Sequence, residues 1–73
     1  MRTTIIPVPS TAVSHDRTIT LPTEIAVTGD GKAVGRHADS GDHGYDSLQE
    51  LCFAYEIDLD DVMGWPMTAY ATG

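Results

Sequence analysis

The hydrophobic period of this 73-residue chain changes near residue 45, and that change limits the folds open to it. Upstream, apolar residues alternate with polar ones in short runs, the pattern of a half-buried strand. Downstream, Leu48, Leu51, Cys52 and Tyr55 fall at i, i+3, i+4 and i+7, which places them on one stripe of an α-helix. Ser47 followed by Glu50 makes a capping box, in which hydroxyl and carboxylate satisfy otherwise orphaned amides. Asp46 and Glu50 lie where the helix dipole favours anions. Asp58 reads as a second N-cap, with Asp60 and Asp61 in the first turn and an apolar stripe of Leu59, Val62 and Met63 behind it. Gly64 fits a left-handed helix end, and Pro66 blocks continuation. Two short helices are expected, at about 47–56 and 59–63, joined by a tight turn at 57–58.

The first half reads as β. Residues 3–8 are β-branched and apolar, with Pro7 and Pro9 confining them to a sheet edge or ending the strand early. Residues 17–21 alternate, with Ile19 and Leu21 on one side, and residues 24–28 alternate again. Gly29-Asp30-Gly31 is a strong turn signal and 32–36 returns as the partner strand, so a hairpin is expected over 24–36. Residues 37–44, rich in turn formers, read as a loop. Residues 67–70 add a short strand or lie as a tail on the sheet. The expected class is α+β: a single domain, 1–73, with a small antiparallel sheet of three to four strands from 3–36, packed by two short C-terminal helices.

A chain this short buries only about 60% of its unfolded surface, which leaves little room for an enclosed substrate pocket. No Ser elbow marks an activated nucleophile, and Gly29-Asp30-Gly31-Lys32 lacks the length and the Ser/Thr of a phosphate-binding loop. No enzymatic activity and no cofactor are expected. The single Cys52 has no internal disulfide partner and falls on the apolar stripe, so a buried inert thiol is expected. The apolar run near the N-terminus is short and broken by prolines, unlike a signal peptide, and nothing approaches a membrane span. A cytoplasmic protein is the expectation.

Charge is spread unevenly. Residues 1–36 carry all four basic side chains against three acids; residues 37–73 carry eight acids and no Lys or Arg. The halves are near +1 and −8. Phosphates repel such an acidic half, so direct nucleic-acid binding is not expected. A basic protein surface, including one that handles nucleic acid, is a suitable partner. Asp46, Glu50, Glu56, Asp58, Asp60 and Asp61 would then stand where phosphates stand. Helical neighbours at i and i+4 are about 5–6 Å apart, close to the separation of adjacent phosphates on one strand, and Asp46 with Glu50 is the pair so placed.

Phe53 breaks the helical pattern. It lies opposite the apolar stripe, among Asp46, Gln49, Glu50 and Glu56. Either another part of the chain, such as the tail after Pro66, covers it, or it is an exposed aromatic anchor ringed by carboxylates. The candidate partner-binding residues are thus Asp46, Glu50, Phe53, Glu56, Asp58, Asp60 and Asp61. His37, Asp39, Asp42 and His43, with His15 and Asp16 elsewhere, have the chemistry of transition-metal ligands but match no ligand spacing, so no metal site is expected.

Two resemblances bear on this reading. SLQELCFAYEIDLDDVMG, residues 47–64, resembles the last part of a phage-repressor helix-turn-helix domain, where an L-x-x-L helix leads into a short second helix. The family's recognition helix has no counterpart in the β-patterned first half, and its basic DNA face is missing, so no DNA-binding residue is carried over. In its small size, its −8 half and the acidic rim around Phe53, the chain is also similar in kind to the anti-CRISPR proteins, phage-encoded inhibitors of bacterial defence. That likeness implies a non-enzymatic inhibitor that partly imitates nucleic acid. The alternatives are a structural or regulatory subunit that self-associates through its sheet edge and Phe53, and a small metal-responsive protein using residues 37–43.

Overall fold

The computed structural model describes residues 2–71. Its strands are β1 (Arg2–Pro7), β2 (Glu24–Thr28), β3 (Ala33–His37), β4 (Gly41–Tyr45) and β5 (Thr68–Ala71), with helices α1 (Leu48–Tyr55) and α2 (Leu59–Met63) between β4 and β5. The five strands form one antiparallel sheet in the order β4-β3-β2-β1-β5. The chain leaves the sheet at one edge, passes through both helices, and returns at the opposite edge beside β1. The class is the expected α+β, with two more strands than residues 3–36 supply.

The hairpin forms as its turn chemistry dictates. Gly31 has φ +91°, the left-handed region that glycine tolerates, and the Asp30 carboxylate accepts from Thr28 Oγ1 and from the Lys32 amide. Register places Glu24 opposite Arg36 and Val27 opposite Ala33.

Residues 17–21 are not a strand, contrary to their alternation. The Asp16 carboxylate accepts from the Thr18 amide at 2.9 Å and from Thr18 Oγ1 at 2.7 Å. This local turn competes with a sheet ladder and wins. Ile19 and Leu21 still pack against the core, but from a connection that runs over 8–23. The opposite correction applies to 41–45, expected to be loop. These residues pair with β3 from Ala33–Tyr45 to His37–Gly41 as an edge strand. Tyr45 fixes one end, its ring 5.7 Å from that of Tyr55 and packed against the core. Here tertiary packing overrides the poor strand propensity of glycine and aspartate.

The core lies between one sheet face and the helices. Ile6 and Ile25 occupy one cross-strand row with Gly35, and Leu51, Cys52, Tyr55, Ile57 and Val62 close over it. Glycine at 35 lets the ring pack closely: a Cβ would lie 3.0 Å from Tyr55 Oη and 3.2 Å from Cε2. Tyr55 Oη and His37 Nε2 share a 2.7 Å hydrogen bond that holds the ring over the gap. The expected α1 stripe is thus buried, with Leu48 partly so. The α2 stripe is narrower than expected, because Val62 is buried but Leu59 and Met63 stay exposed. Among the described residues no helix is long and apolar enough to cross a membrane.

Candidate functional site

Ser47 caps α1 as the sequence indicates, but the other half of the capping box, the Glu50 carboxylate accepting the Ser47 amide, does not form among the described residues. Ser47 is extended (φ −156°, ψ 166°), and its Oγ accepts the Glu50 amide at 3.1 Å. Asp46 therefore precedes the cap and stands outside the helix. The helical spacing that was to put Asp46 and Glu50 at neighbouring phosphate positions does not apply. Asp46 instead borders a small hollow with Lys32 and Tyr45, beside the β3–β4 edge. Glu50 remains on the exposed side of α1.

The other end of α1 is where the chain builds a face. Glu56 takes the left-handed conformation (φ +53°, ψ +49°). Its amide donates to Phe53 O at 3.2 Å and the Ile57 amide donates to Cys52 O at 3.0 Å. These two bonds form a Schellman ending, with glutamate in the position glycine usually fills. The left-handed terminus foreseen at Gly64 is thus at Glu56, and Gly64 itself is right-handed (φ −88°). Two further carbonyls at this helix end are met by the 8–23 connection. Buried Ser14 donates from Oγ to Tyr55 O at 2.6 Å, and the His15 amide donates to Glu56 O at 2.8 Å. This clamp brings His15 against the turn. His15 Nε2 lies 3.2 Å from Asp58 Oδ1, and Asp58 makes no side-chain cap for α2.

Phe53 is 83% exposed. The tail after Pro66 does not cover it, because that tail joins β1 at the far sheet edge as β5. Phe53 forms the wall of an open groove of about 550 Å³. Cys52, Ala54 and Ile57 give this groove its apolar lining, and Glu56, Asp58 and His15 its polar lining. Ile57 also borders a second groove, about 520 Å³, where Asp60 and Asp61 face Val13 and Trp65. Val13 is 75% exposed. Four of the candidate acids (Glu56, Asp58, Asp60 and Asp61) therefore flank one turn together with Phe53, Glu50 stands farther along α1, and Asp46 is elsewhere. Sequence reasoning did not place Val13, His15 or Trp65 at this face: the first two arrive by long-range packing of a segment with no periodic pattern of its own, and Trp65 lies just past α2.

Electrostatics at this face are dominated by unneutralised acid. Hydrogen bonds from Thr18 hold the Asp16 carboxyl below its ordinary range, and the adjoining Glu56 side chain interacts with it. Burial, with the nearby Asp58 charge, pushes the Cys52 thiol up, so the thiolate is disfavoured. Cys52 in the groove lining is thus a small apolar contact rather than a nucleophile.

Residues 37–43 are divided by the strand pleat. His37 and His43 pack edge to face at 5.1 Å on the helix side. Asp42, which pairs with Arg36 at 3.9 Å, alternates to the opposite face. No cluster of three or more metal-ligating side chains occurs among the described residues. No protein family, curated protein or solved structure matches this chain.

Proposed function

We propose that the chain is a non-enzymatic binding module that blocks a basic, nucleic-acid-handling protein, using the acidic face at the α1–α2 turn. One observation carries the reading: the 83%-exposed Phe53 stands beside a groove whose lining holds Glu56 and Asp58, with Asp60 and Asp61 across Ile57. An exposed aromatic ring amid carboxylates joins desolvated contact area to long-range attraction, the usual division of labour at a charged interface. The carboxylates take the place of phosphates, and Phe53 supplies the area that phosphates lack. Glu50 extends the charged surface, while Asp46 stands apart from it. On this reading the chain acts in the manner of the anti-CRISPR inhibitors it is similar in kind to, in the cytoplasm, without a cofactor. The test is displacement. A protein captured on the immobilised chain is loaded with labelled nucleic acid, and the free chain is titrated in. Release that saturates at one chain per site supports the proposal; undiminished nucleic-acid binding refutes it.

Self-association is the second reading, and β5 favours it. All four residues Thr68–Ala71 are exposed, and this edge strand carries no Lys, Pro or bulge to discourage pairing. A mass that rises with concentration and falls on changing Ala69 to Pro would establish it.

A further inference from the structure

We propose that the groove beside Phe53 seats an arginine side chain of the partner, its guanidinium stacked on the Phe53 ring and held by Glu56 and Asp58. The inference rests on the reading above and specifies which partner group enters the site.

Three independent features call for a cation at this spot. The first is the polar lining. Glu56 has no ion pair among the described residues, and Asp58 meets His15 through one of its two oxygens. The second is the end of α1. Its last turn holds no basic residue, and the donors that meet its carbonyls, Ser14 and the amides of Glu56 and Ile57, are uncharged, so no cation yet complements the negative end of the dipole. The third is the ring. Phe53 presents an open face, and a cation over an aromatic face is attracted by the ring quadrupole.

The shape then selects among cations. A groove of about 550 Å³ is too large for a bare ion and too open to dehydrate one. Its lining of Ala54, Ile57 and Cys52 is apolar and suits the methylene stem of a long basic side chain. Lysine would meet the carboxylates as a point charge and keep much of its hydration. Arginine is planar, stacks on aromatic rings, is weakly hydrated and pairs with carboxylates through a fork of donors. The occupant is thus a partner arginine, and the chain imitates a phosphate at that point.

The probe is a blocked tripeptide, acetyl-Gly-Arg-Gly-amide, titrated into the ¹⁵N-labelled chain. The same titration uses versions with lysine and with uncharged citrulline. The expected result is saturable shifts at the amides of His15, Ala54, Glu56 and Ile57 with the arginine peptide. Lysine should bind measurably more weakly, because its hydrated point charge neither stacks nor forks, and citrulline should not bind. Phe53→Ala should reduce arginine affinity about two- to five-fold, the size of an exposed cation–π contribution, while leaving the core amides unmoved. Equal binding of lysine and arginine, or shifts confined to Asp60, Asp61 and Trp65, would overturn the arginine seat. The two proposals fail separately. Displacement of nucleic acid without arginine binding here sinks the seat and leaves the blocking function standing. Arginine binding without displacement does the reverse.

Discussion

Tyr55 and Phe53 are two residues apart on α1 and lie in opposite surroundings. Tyr55 is 7% exposed, bonded to His37, stacked edge-on with Tyr45 and pressed against Gly35. Phe53 is 83% exposed and borders an open groove. The difference shows that one eight-residue helix has a packed side and an open side. Its Leu51–Cys52–Tyr55 side holds the sheet. Its Phe53 side faces solvent, so the gain of burying a large apolar ring is forgone there.

Breaking the buried side should have the largest effect. Leu51 is fully buried, so Leu51→Ala should cost about 2–5 kcal/mol in urea unfolding, a large share of the stability of so small a domain. Gly35→Ala comes next. The new Cβ meets a ring that His37 and Tyr45 prevent from moving, and a loss of about 1–3 kcal/mol is expected. Phe53→Ala is the counterpart on the open side. Its unfolding free energy should stay within about 0.5 kcal/mol of wild type, while dissociation from the partner speeds up at a cost of about 2 kcal/mol or more. Unfolding of that variant would assign the ring to the core.

Two subtler predictions sharpen the same contrast. Burial and the neighbouring Tyr45 push the Tyr55 hydroxyl well above its ordinary value of 10.0. A group with a raised folded pKa contributes stability that is fully present below its unfolded pKa and is lost as pH rises above it. Stability should therefore fall above about pH 10, and Tyr55→Phe should flatten that fall in urea titrations at alkaline pH. The smallest effect belongs to Glu56. A non-glycine residue at φ +53° is strained, so Glu56→Gly should raise stability by up to about 1 kcal/mol while weakening partner binding. A substitution that improves folding and harms binding would mark Glu56 as kept for the face it serves.

Much of this fold was readable from local pattern. The α1 stripe, the Ser47 cap and the 24–36 hairpin follow from period and turn chemistry, which act within a few residues. The errors came where distant packing or a single side chain decided the matter. Residues 41–45 are a strand because β3 and the Tyr45–Tyr55 contact hold them, and 17–21 are not because Asp16 closes a turn on Thr18. Part of the candidate site was legible for the same reason. Glu56, Asp58 and Phe53 are local to one helix end, so their proximity follows from sequence. Val13, His15 and Trp65 reach the turn through packing over more than forty residues for the first two, and no local signal announces that. Asp46 was misplaced because the cap at Ser47 takes it out of the helical period.

The most direct test is the association rate of the chain with its captured partner, measured from low to high salt. Wild type is compared with the triple variant Glu56→Gln, Asp60→Asn, Asp61→Asn, and Asp46→Asn serves as a single-charge control away from the turn. If the face imitates phosphates, the triple variant associates more slowly at low salt, the gap closes as screening shortens to about 8 Å at moderate ionic strength, and Asp46→Asn associates at a rate near wild type. A triple variant that associates as fast as wild type at low salt would contradict the phosphate-mimic function and leave the acid with a solubilising role.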